Sequence, residues 1–114
     1  MKKIEAVIPM GRLYHAFDAL RELNLGGLTY YDSKGRGEIP RRPRISSRGT
    51  GVYQPAFNAN STIVIVTDDA MADKVVDKIV ESTSSGLKGE GKIFVSDVDE
   101  VVDIGTRARG SKAI

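Results

Sequence analysis

Residues 2–8 alternate, with Ile4, Ala6 and Ile8 on one side and Glu5 and Val7 on the other. That period of two predicts a strand with one buried face. Gly11 breaks the run. Over residues 12–24, Leu13, Ala16, Phe17, Leu20 and Leu23 recur at helical spacing and predict a helix with a single apolar stripe. Gly26-Gly27 ends it, because glycine accepts the left-handed backbone common after a helix. Leu28-Thr29-Tyr30-Tyr31 opens a second strand. Residues 61–66, apolar and β-branched, predict a third, buried one. Thr67-Asp68-Asp69 offers caps for a second helix whose core stripe is Ala72, Val75, Val76, Ile79 and Val80. A polar loop follows over 82–91. Lys92-Ile93-Phe94-Val95 then predicts a fourth strand and 98–104 a short fifth, while 105–114 reads as basic and irregular.

Between the second and third strands the pattern stops. Gly35, Gly37, Pro40, Pro43, Gly49, Gly51 and Pro55 fall within 21 residues, which predicts a long irregular loop of the kind that is usually functional. The order strand, helix, strand, long loop, strand, helix, strand implies an α+β chain. Its expected form is a ferredoxin-like βαββαβ antiparallel sheet with two helices on one face, as one domain over residues 1–114. The other sheet face also carries apolar residues, which in so small a chain predicts an oligomer.

Composition narrows the chemistry. The 114 residues are 40% hydrophobic and 28% charged, with no cysteine, so disulfides, thiolate metal sites and cysteine nucleophiles are excluded. The apolar run before Gly11 is too short for a signal peptide and no stretch reaches membrane-span length, so a soluble cytoplasmic chain without membrane insertion is expected. Net charge is only +2, yet six basic residues face one acidic residue over 34–48, and ten acidic residues face four lysines over 68–103. A basic segment on a nearly neutral chain suggests a local docking surface. His15 has no serine or acid at catalytic spacing and is read as a surface or subunit-contact residue. Asp68-Asp69 is read as helix capping, not a metal pair, and Tyr30-Tyr31 as packing at the sheet or a subunit contact.

Gly86-Leu87-Lys88-Gly89-Glu90-Gly91-Lys92 is the sharpest local signal. Closely spaced glycines let backbone N–H groups turn toward an anion, and the lysine adds charge at the rim. The segment precedes a strand and lacks the Lys-Ser/Thr pair of a P-loop, so a plain turn between helix and strand is the competing reading.

Taken in order, Met1-Lys2-Lys3-Ile4-Glu5-Ala6, Gly26-Gly27-Leu28-Thr29, Lys34-Gly35-Arg36-Gly37, Gly89-Glu90-Gly91-Lys92-Ile93-Phe94-Val95 and Ala113-Ile114 resemble the PII nitrogen-regulator family over nearly the whole chain. The resemblance implies a compact homotrimer that signals by binding and is not an enzyme. Adenine nucleotide (ATP, ADP or AMP, with magnesium accompanying ATP) would lie in clefts between subunits. The resemblance assigns the adenine to Val7, Thr29 and the backbone near Val66, and the phosphates to Gly35, Arg36, Gly37, Gly89, Glu90, Gly91 and Lys92. It implies a flexible T-loop at about 38–58 that docks on a transporter or a nitrogen or carbon assimilation enzyme, with Arg41, Arg42, Arg44, Arg48 and Tyr53 as candidate contacts. A C-terminal loop is implied at about 105–114.

The departures are specific. Ile39 stands where the family places a magnesium-binding glutamine, and Asn60 where it places a lysine that pairs with 2-oxoglutarate. Asp103 and Gly105 stand where two arginines grip the phosphates, leaving Arg107 and Arg109 to substitute. The expectation is that nucleotide binding persists, that 2-oxoglutarate–magnesium sensing is weakened or lost, and that preference shifts toward ADP, AMP or a cyclic nucleotide. Two other readings remain at this stage. One is a ferredoxin-like RNA-binding module using the Arg-rich loop, although no aromatic pair marks a central strand and nucleic acid is not expected. The other is a trimeric metal-tolerance protein, for which soft ligands are few.

Overall fold

β1 (Lys2–Pro9) turns Ile4, Ala6 and Ile8 into the core, as its alternation requires, and leaves Lys3, Glu5 and Val7 half-buried on the opposite face. The computed structural model describes residues 1–37, 44–45, 51–53, 56–87 and 89–114. A 3-10 turn (Met10–Arg12) leads into α1 (Leu13–Leu20), which buries Leu13, Ala16 and Leu20. The helix is shorter than its stripe predicts. After Leu20 the chain tightens, the Leu23 N–H donating to Leu20 O at 3.0 Å, and Leu23 and Leu25 still pack on the core from a non-helical segment. The apolar spacing survives because a tightened turn keeps residues three apart on nearly the same side.

β2 (Thr29–Gly35) begins one residue later than expected, β5 (Asn58–Thr67) three residues earlier, and α2 spans Asp69–Thr83. Asp68 caps α2, its Oδ1 accepting from the Met71 N–H at 2.9 Å, so the capping reading of Asp68 holds. Of the predicted α2 stripe, Ala72, Val75 and Ile79 are buried and Val76 is half-buried, but Val80 is 47% exposed. β6 (Lys92–Asp97) completes a four-stranded antiparallel sheet in the order β2-β5-β1-β6. Both helices pack on one face, and the chain is a ferredoxin-like α+β fold. The core is Ile4, Ala6 and Ile8 with Ile63 and Ile65 of β5 and the buried helix residues.

The segment expected to be irregular contains a small ladder. β3 (Arg44–Ile45) pairs antiparallel with β4 (Val52–Tyr53), Arg44 opposite Tyr53 and Ile45 opposite Val52. The expected fifth strand over 98–104 does not form. It is replaced by a hairpin closed by a single bridge between Val102 and Arg109, followed by a 3-10 turn (Gly110–Ala113). Among the described residues no helix is long and apolar enough to cross a membrane.

Among the described residues, no helix covers the other face of the sheet, the open face. Lateral pairing puts Tyr31, Thr62, Val7 and Lys92 in one row, Thr29, Val64, Glu5 and Phe94 in the next, and Val66, Lys3 and Ser96 beyond. Tyr31 is 51% and Phe94 54% exposed there. Lys3 and Glu5 pair across this surface at 2.7 Å.

Candidate functional site

α2 ends where the Ser84 N–H donates to Val80 O at 2.9 Å, and the chain then needs a tight return to enter β6. Gly86 (φ 89°) and Gly89 (φ 87°) supply the left-handed steps of that return, and Gly91 (φ 154°) its exit. At Gly91 the requirement is steric as well: a Cβ would stand 2.3 Å from the Val7 carbonyl oxygen and 3.4 Å from Ile8 Cα. The glycine loop is therefore pressed onto the central strand β1, and Lys92, the next residue, pairs directly with Val7. Lys92 is exposed and forms no ion pair among the described residues. Val7, Gly91 and Lys92, three of the candidate binding residues, thus form one contiguous surface.

Glu90 is half-buried and turned back toward the helix. Both its carboxylate oxygens accept from the Ser85 N–H, each at 2.9 Å, and Oε1 also accepts from the Ser85 hydroxyl. The Gly86 N–H donates to Ser84 Oγ at 3.2 Å. On the helix side of this loop, Ile8, Val76, Ile79, Thr83, Leu87 and Ile93 line a cleft of about 310 Å³.

The remaining candidates lie elsewhere. Thr29, Gly35, Arg36 and Gly37 belong to β2 and its exit, and β2 is the edge strand opposite β6. Three strand spacings separate the two edges, about 14 Å. Gly35 and Lys92 nevertheless lie at the same end of the sheet, since Gly35 pairs with Asn58 and Lys92 with Val7 next to Pro9. Asn60 fills the space over Gly35, its Nδ2 standing 2.5 Å from where a Cβ would be. Below it the Ser33 and Thr62 hydroxyls share a hydrogen bond of 3.0 Å. Val66 does not join the group: it pairs with Lys3, four residues along β1 from Val7, or about 13 Å away. The β5 residue that the register sets beside Val7 is Thr62, only 3% exposed. No periodicity could have singled it out, because register depends on which strands pair.

The segment after β6 leaves from the sheet end opposite Lys92, where the Val98 N–H donates to Met1 O at 3.1 Å. Asp103 anchors its hairpin. Oδ2 accepts from the Thr106 hydroxyl at 2.6 Å and the Thr106 N–H at 2.9 Å, and the Arg107 N–H donates to Asp103 O at 2.8 Å. Arg107 takes φ 63° and is exposed, whereas Arg109 pairs with Glu100. The tail read as irregular is thus a built turn, and Asp103 is the residue that builds it. The hydrogen bonds from the Thr106 side chain and backbone hold the Asp103 carboxyl below the ordinary aspartate range. A lowered folded-state pKa contributes stability that is complete above the unfolded value, about 3.9, and is lost as pH falls through the lowered one. Thr106→Ala is expected to move the Asp103 titration back toward the ordinary range, readable as the carboxyl carbon shift by NMR. An unchanged titration would show that the Thr106 contact is not made in solution.

Arg41, Arg42 and Arg48 lie outside the described residues, as do Glu38, Ile39 and Lys88. Arg44 and Tyr53 are paired strand positions of β3 and β4. Among the described residues no group of three or more His, Asp or Glu side chains is gathered as a metal site. His15 is exposed on α1. Tyr30 packs edge-on against Phe17 at 5.3 Å between ring centroids, so of the tyrosine pair one faces the helices and the other the open face.

Comparison with known proteins gives a consistent result. A family model described as nitrogen regulatory protein P-II matches residues 1–108. Curated proteins of that name align along the whole chain. The one from Azospirillum brasilense is 35% identical over 114 residues, covering 100% of both chains. The one from Synechocystis sp. is 37% identical over 115 residues, again covering 100% of both. Nitrogen regulatory protein P-II 2 of Methanothermobacter thermautotrophicus is 38% identical over 115 residues, covering 100% of this chain and 97% of the relative.

Proposed function

Because the chain belongs to the nitrogen regulatory protein P-II family, it is a signal-transduction regulator, and we propose that it reports on an adenine nucleotide bound between neighbouring copies. The observation that carries this reading is the contact of Gly91 with the Val7 carbonyl, which sets Lys92 in line with Val7 on the open face. A glycine loop fixed in this way offers backbone N–H groups and one ammonium to phosphate, beside an apolar strand surface suited to a purine. Gly35, Arg36, Gly37 and Thr29 sit on the opposite edge of the same sheet, which favours a site completed by a second copy over one closed within a chain.

In this reading the copies form a homotrimer packed through the open faces. The exposed Arg36 and Lys92 hold phosphates, joined by Arg107 of a neighbouring hairpin. Arg109, paired with Glu100, contributes only if that pair opens. The segment over 38–58 is the docking loop, whose population of conformations the ligand shifts. It would meet a transporter or a nitrogen or carbon assimilation enzyme in the cytoplasm. Asn60 carries no charge toward a keto acid and is packed on Gly35, which supports weakened 2-oxoglutarate sensing. RNA binding gains no support. The exposed aromatics of the open face are on the edge strands β2 and β6, while the central strands present Lys3, Glu5, Val7, Thr62, Val64 and Val66.

Calorimetric titration with ATP, ADP, AMP and cyclic AMP tests the proposal. At least one adenylate is expected to bind, and Lys92→Ala to weaken it about tenfold to a hundredfold, the worth of one charge-assisted contact. Failure of every adenylate at millimolar concentration would overturn nucleotide binding. Strong magnesium-dependent cooperation between ATP and 2-oxoglutarate would overturn the altered sensing alone.

A further inference from the structure

We infer that Ser85 is a positioning residue for the glycine loop: it clips the Glu90 carboxylate back against the end of α2 and so holds Gly86, Gly89 and Gly91 in the arrangement that receives phosphate. The inference rests on the nucleotide reading above and concerns Ser85, which the resemblance leaves unassigned. Glu90 would otherwise be an anion beside a phosphate site, which Coulomb repulsion opposes. Here the charge is answered from within the loop, because the Ser85 N–H reaches both carboxylate oxygens at 2.9 Å and the Ser85 hydroxyl adds a bond to Oε1. Hydrogen bonds to an ionised acceptor are the stronger kind.

The contact also closes the loop on itself. Residues 85 and 90 become its two ends, and the left-handed steps at Gly86 and Gly89 lie between them. Such steps are favourable for glycine but not fixed by it, since glycine has the most backbone freedom to lose. A tether between the loop ends removes much of that freedom before a ligand arrives, and preorganisation of this kind raises affinity without adding a contact. One end of the tether is held in turn: Ser84 bonds back to Val80 O at 2.9 Å and its Oγ accepts from the Gly86 N–H at 3.2 Å. The other end adjoins Gly91, which is pressed on β1. Ser85 and Glu90 thus join the end of the helix to the start of the sheet.

The test uses the whole chain, with Ser85→Ala and the conservative Ser85→Thr, in two readouts. Without nucleotide, amide hydrogen exchange over 85–91 is expected to quicken about tenfold in Ser85→Ala, the effect of losing one local hydrogen bond, and to return toward the natural rate in Ser85→Thr. ADP affinity is expected to fall about tenfold in Ser85→Ala and recover in Ser85→Thr, with the melting temperature of both variants unchanged because Ser85 is exposed. Unchanged exchange in Ser85→Ala and also in Glu90→Ala, which removes the acceptor of both the Ser85 N–H and its hydroxyl, overturns the tether. Faster exchange with unchanged ADP affinity overturns its positioning role. A natural chain that binds no adenylate at all removes the function proposed above, and the exchange data still decide whether the tether exists.

Discussion

A Gly91→Ala chain is expected to melt roughly 10 °C below the natural one and to lose with it the adenylate binding proposed above. The reason is geometric. The new Cβ would stand 2.3 Å from the Val7 carbonyl oxygen, a backbone atom in a central strand, so no side chain can swing aside. Gly91 also sits at φ 154°, a conformation that alanine reaches only with strain. Either the first residues of β6 peel from β1 or the loop shifts outward, at a cost of about 2–4 kcal/mol. Both responses displace Lys92 from Val7. Gly86→Ala separates strain from collision, because Gly86 has φ 89° but open space where its Cβ would go. It should cost only about 1–2 kcal/mol. Thermal unfolding of both variants gives the comparison. If Gly91→Ala melts like the natural chain, the close approach to Val7 is not present in solution.

Val64→Glu is expected to reduce assembly at least a hundredfold, leaving a folded monomer in place of the proposed trimer. Val64 lies on the open face in the same row as Glu5 and Thr29, so the variant sets a second carboxylate opposite the first. Burying two like charges against another copy costs several kcal/mol, beyond what an exposed surface would feel. The helix-side core does not include Val64, so the fold should survive and its melting should change little. Sedimentation velocity over a concentration series reads the result. A variant of unaltered mass in the presence of a trimeric natural chain would move the contact to another surface. A natural chain that sediments as a monomer would remove the trimer.

What could be read in advance followed how far each signal travels along the chain. Ile4, Ala6 and Ile8 announce β1, and Ala72, Val75 and Ile79 announce α2, because their faces are set by periods of two and of about four residues. The early end of α1 was hidden because Leu23 and Leu25 stay on the core after the helix stops. The row that joins Thr62 to Val7 and excludes Val66 is fixed by strand register, a relation between residues far apart in sequence. Asp103 looked like a misplaced charge. Its bonds to Thr106 are a local exchange between side chain and backbone, with no periodic trace. The Ser85–Glu90 contact is of the same local kind. Of the candidate site, the glycines and Lys92 were legible; the residues that hold them in place were not.

The division of candidate residues between β2 and β6, at opposite edges of one sheet, has a thermodynamic corollary. In the proposed assembly a ligand spanning two such edges would be held by a seam that no single chain owns, so occupancy and association would draw on the same free energy. By mass action, saturating ligand would then resist dissociation of the complex, and dilution of the protein would lower its apparent affinity. The molecule would register its own abundance together with that of the metabolite.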